Sequence, residues 1–129
     1  MEDFMAVLFS GIIATLFMAL GAPLARSRIP PNRWYGFRVS RYQYEDDEIW
    51  YAINRKGGLH FVYAGVVCLV YAAFSAFFIN NPDAQLFLMV ALTALLAVFI
   101  VYEITWSVRM AHRMAHEKGL VEGGEKEEV

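Results

Sequence analysis

The chain has 129 residues, of which 58% are apolar, with a mean hydropathy of +0.40 and a formal charge of -2 at pH 7. Soluble domains average roughly 45–50% apolar residues, so this composition excludes an ordinary water-soluble globule and points to a single membrane domain. One cysteine, Cys68, excludes an intramolecular disulfide and a thiolate metal cluster.

The first apolar run, Phe4 to Leu24, follows Met1-Glu2-Asp3. A secretory signal would begin with basic residues, so the run is read as a retained helix. Two further runs, Leu59 to Ile79 and Leu86 to Ser107, are also close to the ~20 residues that cross a ~30 Å hydrocarbon core. The fold expected is an all-α membrane protein with three transmembrane helices over about 4–24, 59–79 and 86–107. Residues 1–120 are expected to form one domain, and the Gly- and Glu-rich residues 121–129 a disordered acidic tail.

Small residues recur at helical spacing within the spans: Gly11, Thr15 and Ala19 in the first, and Ala64, Cys68, Ala72 and Ala76 in the second. Both stripes are expected to be packing faces, since small side chains let helices approach closely in lipid. The short turn around Asn80-Asn81-Pro82-Asp83 makes the second and third spans an antiparallel hairpin.

All eleven basic residues fall in two places. Seven lie in the loop 25–58, and Arg109, Arg113, Lys118 and Lys126 follow the third span. Cytoplasmic flanks carry the Lys and Arg excess, so the expected topology has the N-terminus outside and the loop and C-terminus in the cytoplasm, in a multi-pass protein of the plasma membrane.

The loop divides in two. Pro30 and Pro31 exclude a helix interior. Further on, Glu45 to Glu48 would occupy a first helical turn, Arg55 and Lys56 a last one, and Gly57-Gly58 a stop. Ile49, Trp50 and Ile53 give this short amphipathic helix an apolar side, which is expected to lie near the cytoplasmic membrane face. Beyond the third span, Arg109 and Arg113 share a face of a helix running on into water, which Gly119 ends.

Glu103 is the one formally charged residue inside a predicted span, and a carboxylate at that depth needs a partner or a function. Arg38 is the expected partner. His112 and His116 share a helix face, but two ligands do not make a metal site, and they read as solvated residues of a basic flank. His60 reads as an interfacial residue. Trp34, Tyr35, Phe37, Tyr42, Tyr44, Trp50 and Tyr51 interleave with arginines; beside two spans this is a headgroup-level aromatic belt, and no nucleic-acid partner is expected. No phosphate loop, catalytic triad or HExxH pattern is present, so neither an enzyme nor a cofactor is expected.

The run Ile29-Pro30-Pro31-Asn32-Arg33-Trp34-Tyr35-Gly36-Phe37-Arg38, followed by Trp50, Asn54 and Gly57, resembles the signature of the SdpI family of small bacterial membrane proteins. The resemblance implies Pro31, Asn32, Trp34, Gly36, Arg38, Trp50 and Asn54 as motif residues. Ser40 stands one residue later than the Ser or Thr that family members commonly carry after the Gly-x-Arg arginine. It also implies immunity to, or sensing of, a secreted peptide toxin through the cytoplasmic loop, with the toxin or a cytoplasmic regulatory protein as partner beside the lipid bilayer. In the best-known member a transcriptional repressor is held at the membrane; that member has six spans, of which the last three match this unit.

Physically, the two prolines stiffen the chain, Gly36 permits a close approach, and Arg38 offers a five-donor fork for a carboxylate or phosphate. The same residues could equally serve to lock the loop onto the helix ends. The alternative function is a subunit of a small transporter or channel using Glu103; three spans leave little room for a pore, so this requires a homo-oligomer.

The topology is checked with single cysteines at Asp83→Cys and Lys118→Cys in a Cys68→Ser background. An impermeant reagent should label the cysteine at position 83 in intact cells and the one at position 118 only after the cells are opened, and labelling of both in intact cells would rule out three spans.

Overall fold

A computed structural model describes residues 2–120, so the expected acidic tail lies outside the described residues. After a 3-10 turn at Glu2–Phe4 come four helices: α1 (Met5–Ala25), α2 (Tyr42–Glu45), α3 (Asp47–Ala76) and α4 (Pro82–Glu117). No strand occurs among the described residues, and α1, α3 and α4 are long and apolar enough to cross a membrane. At 1.5 Å per residue, α3 and α4 are about 45 Å and 54 Å long, so each exceeds a ~30 Å hydrocarbon core.

Local chemistry sets the helix ends. Asp46 caps α3, its Oδ1 accepting from the backbone N–H of Glu48 (2.8 Å) and Ile49 (3.3 Å). Asn81 caps α4 through Ala84 N–H (3.0 Å), with Pro82 in the first turn, where its missing N–H costs nothing. At the far end Gly119 takes a left-handed φ of 71°, and the N–H of Leu120 reaches back to Ala115 O (2.9 Å). Helix α1 closes the same way with a serine: Ser27 has φ 55° and Arg28 N–H donates to Pro23 O (3.1 Å).

The expected helix stop at Gly57-Gly58 is absent. Helix α3 runs unbroken from the loop into the second span, and neither glycine has a positive φ. These glycines are notches. A Cβ at Gly58 would collide with the backbone N of Ala25 and stand 2.6 Å from Gly21 O, and one at Gly57 would stand 2.6 Å from a ring carbon of Phe37. The helical penalty of about 1 kcal/mol per glycine is therefore offset by contacts that no larger residue allows.

The packing stripe of α1 also differs from expectation. Its buried residues are Ala6, Ser10, Ala14, Gly21 and Leu24, with Ala14 packed against Cys68 of α3 and Leu92 of α4. Thr15 and Ala19 are exposed, and a Cβ at Gly11 would meet nothing within 4 Å, so that stripe faces outward. Of the predicted second stripe, only Cys68 is buried. Gly65 joins it, approached by Met18 and Ala14.

Beyond the span, Ile49 and Ile53 of α3 meet Ala111 and Ala115 of α4 in a second core. The apolar side of the loop segment thus packs on protein. Lys118 ties the same two helices together, with Nζ at 3.0 Å from Asp46 Oδ2 and 2.5 Å from Glu48 Oε2. Glu48 and Asp46 hold the Lys118 ammonium above its ordinary range, and Lys118 holds the Asp46 carboxyl below its own.

Gly58→Ala is expected to lower stability by about 1–3 kcal/mol, the cost of overpacking a filled site. Gly11→Ala should be neutral or stabilising by up to about 1 kcal/mol. Thermal unfolding of both in one detergent checks this, and equal shifts would show that α1 and α3 do not meet at Gly58.

Candidate binding loop and buried carboxylate

The loop between α1 and α3 is held by side-chain amides. Asn32 uses both ends of its amide on the loop itself: Oδ1 accepts from the N–H of Trp34 (2.8 Å) and Tyr35 (2.7 Å), and Nδ2 donates to Pro30 O (2.8 Å) and Tyr35 O (3.1 Å). Gly36, at φ 110°, then turns the chain against α3, and a Cβ there would stand 2.6 Å from Asn54 Oδ1. Asn54 grips the next residue on both sides, accepting from Phe37 N–H (2.5 Å) and donating to Phe37 O (3.3 Å) and Trp50 O (3.0 Å).

Trp50 is fully buried and its indole N–H donates to Ile29 O (2.8 Å). Ser40 Oγ accepts from Tyr42 N–H (3.2 Å) at the start of α2. Pro31 is half-buried. The motif side chains left exposed are Arg33, Trp34 and Arg38, and Trp34 is 90% exposed.

Gln43 was not foreseen. Buried on α2, it accepts at Oε1 from the N–H of Val39 (2.8 Å) and Ser40 (3.3 Å), and donates to Phe37 O (2.6 Å). A signal was present, since the chain has two glutamines, Gln43 and Gln85, each in or beside an apolar context. Gln85 is also buried, joining Ala6 N–H (3.0 Å) to Ser75 O (2.7 Å) at the opposite end of the bundle.

Glu103 is 2% exposed, and its partner is His60, which corrects the expected pairing with Arg38. His60 Nδ1 lies 2.8 Å from Glu103 Oε1, and the indole N–H of Trp106 donates to Oε2 (2.7 Å). The His60 ring stands edge-on to Trp106 at 5.2 Å. Arg38 is exposed and makes no hydrogen bond or ion pair among the described residues.

The reason is alternation along the extended stretch after Gly36: Phe37 turns inward, its ring 5.5 Å from Phe61 and 6.1 Å from Trp106, so the next side chain points out. His112 and His116 are exposed, and no group of three His, Cys, Asp or Glu residues among those described could hold a metal ion.

The three apolar helices and the amide-locked loop define a small multi-pass membrane protein. A family model described as the SdpI/YfhL protein family matches residues 28–103, from the start of the loop to Glu103. That match covers more than half of the chain, and the chain belongs to this family. Comparison with curated proteins and with solved structures gives no match.

Replacing Glu103 by Leu should cost up to about 1–3 kcal/mol for each partly buried donor left unpaired, here His60 and Trp106. In double-mutant cycles read by thermal unfolding, Glu103→Leu should couple to His60→Phe and be additive with Arg38→Gln. Coupling to Arg38 alone would contradict the arrangement described.

Proposed function

We propose that the chain is an immunity or sensing protein of the SdpI type, which uses the loop between α1 and α3 at the cytoplasmic face of the plasma membrane to bind a peptide toxin or a regulatory protein. One observation carries this reading. Asn32, Gly36, Trp50 and Asn54 are committed to fixing the loop backbone, while Trp34 stands 90% exposed between Arg33 and the further exposed Arg38. A loop ordered in advance loses little entropy on binding, and Trp and Arg are the residues on which interface energy concentrates. The role is one of binding and not of catalysis.

A second reading, a subunit of an oligomeric transporter, is favoured by the Glu103–His60 pair. It stands at one end of an apolar groove of about 430 Å³ between α3 and α4, where a carboxylate and an imidazole could pass a proton or hold a cationic solute.

Expression in a toxin-sensitive bacterium, with survival measured under challenge by secreted peptide toxins, tests the first reading. Trp34→Ala and Arg38→Gln should each raise toxin sensitivity by roughly 30-fold, the factor expected for an interface anchor worth about 2 kcal/mol. Neither should change thermal stability, because both side chains are exposed. Full protection by both variants, with protection lost in Glu103→Gln, would favour the transporter reading instead.

A further inference from the structure

At the basic end of the bundle, Arg109 and Arg113 follow the apolar run of α4 and lie four residues apart, on one helix face. Lys56 of α3 reaches towards them across Trp106, its Nζ 4.9 Å from the centre of the indole ring. The ring cannot turn away, because its N–H is held by Glu103. These three cations, with Tyr102, Thr105 and Trp106, line an open cavity of about 350 Å³. Among the described residues no carboxylate lines it. Among the described residues Lys56 and Arg109 make no ion pair, and Arg113 has only the exposed Glu117, at 4.0 Å. Convergent cations with so little counter-charge favour an anion between them.

The depth of this cavity identifies the anion. Arg109 is the first charged residue after Glu103, at the level where an apolar helix leaves hydrocarbon for headgroups. Tyr102 also lines the neighbouring apolar groove, walled by Val67, Leu92, Leu95, Leu96 and Phe99. The groove extends along α4 from Leu92 to Glu103, a rise of about 16 Å, or half of a ~30 Å hydrocarbon core. A cationic cavity thus stands on an apolar groove one leaflet deep, with Tyr102 common to both.

We propose that the two together bind an anionic phospholipid, its phosphate among Lys56, Arg109 and Arg113 and an acyl chain along the groove. A soluble phosphate would use only the upper part. A zwitterionic lipid would gain from the lower part but carries a headgroup cation into a site already holding three. An anionic phospholipid satisfies both.

The test uses the full chain in a neutral detergent, with bound lipid counted by native mass spectrometry and thermal stability read in parallel. The probes are phosphatidylglycerol, phosphatidylcholine of the same acyl chains, and glycerol phosphate, which has the headgroup without the chains. Phosphatidylglycerol should bind at least tenfold more tightly than either of the others. Lys56→Gln, Arg109→Gln and Arg113→Gln, all exposed positions, should each weaken it roughly fivefold, the factor for one basic residue near an anionic membrane surface, and leave phosphatidylcholine unchanged. Leu95→Trp, which fills the groove from an exposed position, should weaken both lipids.

Arg26→Gln and Arg28→Gln, exposed at the same end but outside the cavity, should have no effect. Equal affinity for the two lipids would overturn the proposal, as would equal losses in the Arg26 or Arg28 variants, which would reduce it to diffuse surface charge. Glycerol phosphate binding as tightly as phosphatidylglycerol would replace it with a soluble-phosphate site.

Discussion

The amide of Asn54 is the interaction on which the rest of this structure depends. By taking Phe37 N–H and meeting Phe37 O, it fixes an extended backbone segment to the side of a helix, where no ladder partner exists. Leaving those groups unpaired in a partly buried place would cost about 1–3 kcal/mol each. Once Phe37 is fixed, its ring fills the notch left by Gly57 and reaches Trp106. Trp106 in turn holds Glu103, and Glu103 holds His60. The loop, α3 and α4 are therefore coupled through one continuous set of contacts, and Lys56 rests on the same indole.

The opposite end of the bundle solves the same problem with Gln85, whose amide joins the first turn of α1 to the last turn of α3. The hydroxyls of Ser75 and Ser107 are satisfied locally, donating to carbonyls one turn back, while that of Tyr71 donates across to Leu88 O of α4 (2.6 Å). No buried side-chain nitrogen or oxygen among the described residues lacks a partner. In a hydrocarbon surrounding this is the condition for stability, because no water can compensate an orphan group. Against that background an exposed tryptophan and a cavity lined by three cations stand out as the surfaces on which the two proposals rest.

The motif residues separate into two kinds. Asn32, Gly36, Trp50 and Asn54 serve the backbone of the loop, and Arg33, Trp34 and Arg38 are presented by it. Preorganisation of this sort lowers the entropy lost on association, so residues that touch no partner still contribute to affinity. In the proposed binding role, the amide lock and the presented side chains act on different terms of the same free energy.

The sequence by itself determined what depends on short stretches of chain. Hydropathy over ~20 residues located the three spans. The acidic start of the loop helix, expected over Glu45 to Glu48 and found with Asp46 as its cap, and Gly119 as a helix end are also local, because a cap is made within one turn, whereas α4 begins at Pro82, within the stretch expected as a turn. Tertiary structure decided everything that depends on what stands opposite. Whether Gly57-Gly58 ends a helix or forms a notch turns on the presence of Phe37 and Gly21 across from it, and whether Gly11 lies in an interface turns on which face of α1 meets α3. The Glu103 partner is an intermediate case. Counting outward from the Asn81 turn places His60 and Glu103 at matching heights of an antiparallel hairpin, yet only packing shows that Phe37 occupies the inward position and leaves Arg38 outside. A side chain's chemistry is written in its own residue, but its neighbour is chosen by the register of helices that the chain brings together from far apart.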